Sequence, residues 1–313
     1  MHKQSTMVYL LLAAGVVIVS TAAILIRLAQ SAGASSLTIA AVRLGIAALV
    51  LSPFVLIRQR ESLRALSRRD LGRALLAGVA LALHFGCWIS SLATTSVAAS
   101  TILVTTNPLW VGLASVLIWR ERLSWQVLAG LALTLAGTCW IFALAPVQSS
   151  VTSNAAIGNA LALAGAFTMS AYLLIGRSLR RRLLLLTYVW LVYSIAALLL
   201  LIATVATGET FTSLSPQAVI CMIALALGPQ LLGHTIFNWA LRHLSATFIS
   251  LSILGEPIGA ALLAWVLFGE TLNALQIAAC ALILSGIVLA ALADGNRVAK
   301  MGKINNDGSA SRV

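Results

Sequence analysis

The chain has 313 residues, of which 60% are hydrophobic and only 9% are charged. A soluble globular protein of this size needs far more charge to cover its surface, so the composition excludes that class. The net charge of +12 would suit a nucleic-acid-binding protein, but the basic residues stand in short links between apolar runs. That placement is typical of membrane topology. The sequence therefore predicts a helical membrane protein whose partner is the lipid bilayer and not nucleic acid.

Breaks in the apolar pattern predict ten spans, each near the 20 or so apolar residues that a membrane helix needs. The spans cover residues 7–28, 36–57, 73–93, 97–118, 125–145, 155–176, 184–206, 217–240, 246–267 and 273–293. The first run lacks a cleavage site, so we interpret it as a span and not as a signal peptide. After Asp294 we expect a polar tail without regular structure.

The basic residues also indicate the orientation of the spans. Eighteen of the 20 Lys and Arg residues fall at the two ends of the chain or in the links after spans 2, 4, 6 and 8, all on one side of the membrane. Links rich in Lys and Arg stay in the cytoplasm. Both termini are therefore predicted to be cytoplasmic.

The two halves of the chain are related by an internal repeat with a constant offset of 149 residues. The matched pairs include Asn107/Glu256, Pro108/Pro257, Glu121/Glu270, Leu92/Leu241, Ser96/Ser245, Trp88/Phe237 and Gly137/Gly286. Each unit holds five spans, an odd number, so the second unit enters the membrane from the opposite side. Such an inverted-topology repeat is typical of secondary transporters.

The predicted fold is an all-α integral membrane protein with ten transmembrane helices from two inverted five-helix repeats. We assign residues 1–148 to the first repeat, 149–294 to the second and 295–313 to a cytoplasmic tail.

The repeat resembles the drug/metabolite transporter superfamily, and within it the EamA-type family of ten-span bacterial exporters. The resemblance rests on residues 107–110 and 120–124 in the first half and on residues 256–259 and 269–272 in the second, and it covers residues 7–293. It implies a transporter that exports amino acids or related small metabolites across the bacterial inner membrane. It also implies a monomer without a cofactor, because duplication supplies both halves that smaller relatives obtain by pairing two chains.

Glu256 is the only acidic residue deep inside a predicted span. A charge at the centre of a membrane helix costs at least about 2.5–3.5 kcal/mol, so such a residue usually marks function or a partner. We interpret it as a candidate proton carrier or counter-ion for a substrate ammonium group. The structural alternative is a protonated glutamate hydrogen-bonded to a neighbouring helix. Its repeat mate Asn107 is polar but uncharged, so any coupling chemistry would be asymmetric.

Two histidines, His84 and His234, stand in the middle of repeat-related spans but one residue out of register. They are candidates for proton shuttling or for binding a substrate carboxylate. The alternative is a neutral ring that satisfies its nitrogens across a helix contact. Trp88 lies one turn after His84 and is a further candidate. Asn238 and Gln230, each four residues from His234, share its helix face, and these groups are predicted to form a polar patch in an otherwise apolar cavity.

Arg43, in the second span, is a secondary candidate with two interpretations. It either attracts an anionic substrate group or pairs with Glu256, or else it snorkels outward or bonds a helix terminus. Its repeat position holds Val192, so its role is not duplicated.

Three prolines, Pro108, Pro229 and Pro257, are predicted to kink spans 4, 8 and 9 next to a shared cavity. Glu121 and Glu270 each precede a helix start, and we interpret them as structural caps.

Other functions are considered against export of metabolites. Efflux of cationic drugs, driven by protons, is the alternative within transport, although the first span contains no acidic residue. A membrane-embedded enzyme would need a nucleophile with a base or a metal cluster, and no such motif is found. A channel would not explain two inverted copies.

The four cysteines, Cys87, Cys139, Cys221 and Cys280, are interpreted as apolar fillers, so no metal or disulfide is expected.

Overall fold

The computed structural model describes residues 2–95, 97–118, 120, 123–143, 155–209, 214–256, 258–259, 263 and 274–310. Within these ranges every regular element is helical. The helices are α1 (His2–Val19), α2 (Ala22–Ser31), α3 (Ser36–Arg58), α4 (Arg60–Arg64), α5 (Arg68–Thr94), α6 (Val97–Val104), α7 (Asn107–Leu117), α8 (Trp125–Ala143), α9 (Ala155–Arg180), α10 (Leu185–Ala206), α11 (Pro216–Leu225), a π-helix (Ala226–His234), α12 (Thr235–Ala240), α13 (Ala246–Ile253) and α14 (Ala274–Ala310).

Six helical segments are long and apolar enough to cross a membrane. They are Thr6–Ser31, Ser36–Arg58, Arg68–Thr94, Ala155–Arg180, Leu185–Ala206 and Pro216–Ala240, and they coincide with predicted spans 1, 2, 3, 6, 7 and 8. Shorter apolar helices at Asn107–Leu117, Trp125–Trp140 and Ile277–Ala293 fall within predicted spans 4, 5 and 10. The chain is thus a multi-pass helical membrane protein.

One expectation meets a different outcome in the structure. The predicted tail after Asp294 continues α14 as far as Ala310, where an irregular segment was expected. A helix that an apolar span has already nucleated can extend without a second nucleation cost, which explains the difference. Pro257, Glu121 and Glu270 lie outside the described residues.

Helix packing follows the internal repeat. Repeat mates pack on each other in two pairs, α3 with α10 and α8 with α14. The extensive contact of α5 with α9 has its counterpart in the other half, where α11 packs on α2 and the π-helix packs on α1. A two-fold relation between the halves requires this pattern: a helix packs either on its own repeat mate, or on a helix of the other half whose mate makes the equivalent contact.

Equivalent hydrogen bonds join the two ends of the antiparallel pair α3 and α10. Thr38, in the first turn of α3, donates from Oγ1 to Glu209 Oε2 over 3.3 Å, just beyond the end of α10. Thr187, in the first turn of α10, donates to Gln59 Oε1 over 2.6 Å, at the C-cap of α3. The two threonines are repeat mates at the offset of 149. The start of each helix is therefore tied to the end of its mate.

The pair α8 and α14 crosses at two glycines. A Cβ atom on Gly130 would lie 2.6 Å from the carbonyl oxygen of Gly286, and one on Gly286 would lie equally close to the carbonyl oxygen of Gly130. Only residues without a side chain allow two helix backbones to approach this closely, and such approaches supply much of the packing energy of membrane helices.

Substitution Gly286→Ala is expected to lower the stability of the protein by about 1–3 kcal/mol, because the new methyl group overlaps backbone that cannot move aside. The measurement is the thermal unfolding midpoint in detergent. Gly45→Ala is the matched control, since a Cβ there meets no atom within 4 Å and helix propensity favours alanine. Equal midpoints for the two variants would contradict the tight crossing.

Candidate functional site

A small cavity of about 30 Å³ lies where interrupted helices from both halves meet. It is lined by Val19, His84, Trp88, Val104, Thr105, Asn107, Met169, His234, Ile253 and Glu256. The structure thus brings together five of the six predicted binding or coupling residues, and the exception is Asn238.

The backbone around this cavity departs from regular α-helix. α6 ends at Val104 and α7 begins at Asn107, with Thr105 and Thr106 in a turn between them. The repeat-related segment has the same break, where α13 ends at Ile253 and a turn precedes Glu256. Non-helical backbone at membrane depth is tolerated only where protein or a cavity covers it. The two breaks place the repeat mates Asn107 and Glu256 on the same cavity.

The described prolines shape the helices without entering the cavity. Pro108 occupies the first turn of α7, where its missing N–H costs nothing, so it starts a helix and does not kink one. Pro229 lies inside the π-helix. The helix of predicted span 4 is thus interrupted just before Pro108.

His84 joins the cavity to a neighbouring helix. Its Nδ1 lies 2.9 Å from the carbonyl oxygen of Gly165 on α9, and because a carbonyl only accepts, Nδ1 carries the hydrogen. The imidazole stacks on Trp88, with ring centroids 5.9 Å apart and an angle of 15° between the planes. This contact is the structural alternative named for the histidine, yet the same ring lines the cavity.

Other polar groups in the cavity wall have no hydrogen-bonding partner in the part of the protein that the structure describes. They are Nε1 of Trp88, both side-chain amide atoms of Asn107 and Nδ1 of His234. The ring of His234 is held by edge contacts with Phe85 and Phe237, at centroid distances of 5.3 and 5.7 Å. A buried polar atom left unpaired costs about 1–3 kcal/mol, so this set of donors and acceptors is suited to a polar ligand.

Glu256 is the only acidic residue in the lining set, and it is partly exposed. It interacts electrostatically with Arg43. The carboxylate and the imidazoles of the lining set therefore share one small volume.

Asn238 lies behind the cavity wall, which corrects its prediction as a cavity residue. Its Nδ2 donates to the hydroxyl of Tyr172 over 2.5 Å and to the carbonyl oxygen of His234 over 2.8 Å. It shares a helix face with His234, as the spacing predicts, but its amide supports the helix and does not line the cavity.

Arg43 is wholly buried, so the prediction that it snorkels outward was wrong. α3 packs on α10 and on the π-helix. The Nε of Arg43 donates to Oε1 of Gln230 over 2.8 Å. Its guanidinium carbon lies 4.0 Å from the centroid of the Phe85 ring, a cation–π contact.

The π-helix accounts for a register difference between the two halves. Ser67 and Ser215, the N-caps of α5 and α11, are 148 residues apart, whereas Leu92 and Leu241 are 149 apart. The second half therefore has one more residue in this span, and the helix accommodates it between Ala226 and His234. Single-turn π-helices of this kind occur often at functional sites.

Sequence reasoning missed several contributors to the site. Phe85 links Arg43 to both histidines, and Met169 and Val19 complete the lining. These are ordinary apolar residues whose role depends on neighbours from other helices. Thr105 carried a detectable signal, because two threonines directly precede the Asn-Pro pair.

The described residues contain no group of three or more His, Cys, Asp and Glu side chains that could hold a metal ion. The four cysteines are free.

Substitution Asn238→Leu is expected to lower stability by about 1–3 kcal/mol, because the carbonyl oxygen of His234 and the Tyr172 hydroxyl each lose a buried partner. The KM of transport should stay within about twofold of wild type. Thermal unfolding and initial transport rates measure the two effects. A large rise in KM without loss of stability would instead show that Asn238 contacts the substrate.

Comparison with known proteins agrees with this architecture. One solved structure, described only as the crystal structure of a protein, is similar over 93% of this chain and 98% of its own, with a TM-score of 0.75 and 20% sequence identity. At this identity the similarity establishes the fold alone. Among proteins of curated function, none matches the sequence. The model of the EamA-like transporter family matches twice, at residues 6–143 and 156–292. The chain therefore belongs to the EamA-like transporter family, within the drug/metabolite transporter superfamily.

Proposed function

We propose that this transporter exports amino acids or related small metabolites from the cytoplasm by alternating access. The observation that carries the proposal is the polar cavity between the repeats, where one carboxylate stands among aromatic rings and unpartnered hydrogen-bonding groups.

The chemistry of the cavity wall supports a substrate with both polar and apolar parts. Glu256 offers a negative charge to an ammonium group, and the amide of Asn107 offers one donor and one acceptor site. Trp88 and Met169 offer apolar surface of the kind that accommodates a side chain. An α-amino acid presents all of these features at once.

The packing supports alternating access by a single chain. Mates from the two repeats pack in pairs, so each half can rock against the other around a site that both halves share. Because one chain supplies both walls of the cavity, we propose that the monomer is the working unit. The predicted arrangement of cytoplasmic termini and an inner-membrane location accord with the arginine-rich links.

Cation efflux is a second candidate, favoured by a specific observation. Glu256 and the stacked rings of His84 and Trp88 lie in the same cavity, and cations bind both to carboxylates and to aromatic faces. The small volume argues for small amines over drug-sized compounds.

Purified protein in proteoliposomes is expected to show saturable uptake and counter-flow of radiolabelled neutral amino acids. Saturation and counter-flow together identify a carrier, because a channel produces neither. Absence of flux across a broad panel of amino acids would reject the proposed substrate class. Flux that rises linearly with concentration would reject the carrier mechanism.

Substitution Glu256→Gln is expected to abolish the dependence of transport on a pH gradient while exchange of substrate remains measurable. The reason is that, among the described residues, Glu256 is the one acidic side chain lining the cavity, and His84, His234 and nearby Arg43 are the other titratable or charged groups there. Flux is compared with and without an imposed gradient. Glu61→Gln is the matched control, since Glu61 is exposed on α4. A gradient dependence that survives in Glu256→Gln would exclude this carboxylate as the proton carrier.

A further inference from the structure

Arg43 has more hydrogen-bonding capacity than the protein uses. Its side chain has no exposed surface, and only Nε is bound, to the side-chain oxygen of Gln230. Both terminal amino groups of the guanidinium lack a hydrogen-bonding partner among the described residues. The side-chain nitrogen of Gln230 also lacks one. Four N–H donors on Arg43 and two on Gln230 are thus unused in one small region.

A second buried arginine shows how this fold satisfies a purely structural guanidinium. Arg180 is 2% exposed, and its Nε donates to the carbonyl oxygen of Asn238 over 3.0 Å. Its NH1 donates to the carbonyl oxygen of Leu183. Two of the three guanidinium nitrogens of Arg180 are thus bound, against one of three in Arg43. The unused donors of Arg43 are therefore not common to every buried arginine of this fold.

Arg43 is separated from the cavity by one aromatic ring. The guanidinium stacks on Phe85, and the same ring contacts His234 at 5.3 Å and His84 at 4.8 Å between centroids. Both histidines line the cavity. Arg43 also interacts electrostatically with Glu256, although the carboxylate makes no hydrogen bond to its amino groups. Phe85 is thus the side chain that lies between Arg43 and the two histidines of the cavity wall.

We propose that the amino groups of Arg43 and the side-chain nitrogen of Gln230 form a carboxylate-binding subsite at the edge of the cavity. The planar guanidinium binds a carboxylate through two parallel N–H···O bonds, which a wholly buried site strengthens. With Glu256 facing an ammonium group, the cavity then selects zwitterions with adjacent positive and negative ends. This inference rests on the proposed function, because it names the chemical class of the exported substrate.

Two carboxylates are candidates to bind this subsite, that of the substrate and that of Glu256, and they predict different results. A substrate carboxylate makes Arg43 matter only for ligands that carry one. The carboxylate of Glu256, after a conformational change, would instead make Arg43 matter for every substrate. Pairs of ligands that differ only in the carboxylate separate these cases.

The experiment compares leucine with 3-methylbutylamine and phenylalanine with 2-phenylethylamine in proteoliposomes. For Arg43→Gln, the KM for both amino acids is expected to rise about 10- to 100-fold, while the KM for both amines changes less than about twofold. Arg180→Gln is the matched control, and it is expected to lower thermal stability without separating amino acids from amines. Equal effects of Arg43→Gln on amino acids and amines would overturn the proposal. So would restoration of amino-acid transport by the double change Arg43→Gln with Glu256→Gln, because it would identify an internal ion pair.

A second variant covers the case in which Arg43→Gln does not fold. Gln230→Glu places a carboxylate beside the guanidinium and occupies the subsite, so it is expected to retain the wild-type unfolding midpoint and to lose amino-acid transport selectively. Unchanged KM values for leucine and phenylalanine in this variant would overturn the subsite. Wild-type protein that carries amines and amino acids with equal KM would also overturn it, yet would leave the transport function intact. Wild-type protein that carries neither would reject the proposed function itself.

Discussion

The requirement that backbone N–H and C=O groups be satisfied inside a membrane governs this structure. Lipid offers no hydrogen bonds, so a chain can leave the α-helix only where protein or an internal cavity covers it. Inside the predicted spans, the described chain leaves it between α1 and α2, between α6 and α7, along the π-helix and after α13. All four places contribute or adjoin lining residues of one cavity, namely Val19, Thr105, His234 and Ile253. The irregular backbone and the candidate site therefore have a common cause.

The duplicated architecture supplies symmetry, and a few residues break it. Thr38 and Thr187 make equivalent hydrogen bonds at opposite ends of the α3–α10 pair, but one acceptor is a carboxylate and the other an amide. Asn107 and Glu256 stand at equivalent breaks and differ in the same way. The extra residue of the π-helix has no counterpart in α5. Transport in one direction needs halves that differ. The residues that differ between the halves are therefore the first candidates for a functional role.

The sequence predicted the helical membrane class, the repeat and most of the polar residues that meet at the cavity. It succeeded because charge is rare in a membrane span, which makes Glu256, His84 and His234 conspicuous. It failed where a role depends on which face of a helix meets which neighbour. Asn238 shares a face with His234 but is turned to Tyr172, and Phe85 gave no signal because apolar aromatic residues are common in such helices.

Arg43 separates the two kinds of information most clearly. Its position in a span, read from the sequence alone, allowed either a snorkelling anchor or a partner for an anion. Composition and periodicity determined that the chain crosses the membrane repeatedly and that its halves are copies, because both properties follow from residue order. Only the tertiary structure decided that Arg43 faces Gln230 and Phe85, since those neighbours come from other helices and their distances depend on how the helices pack.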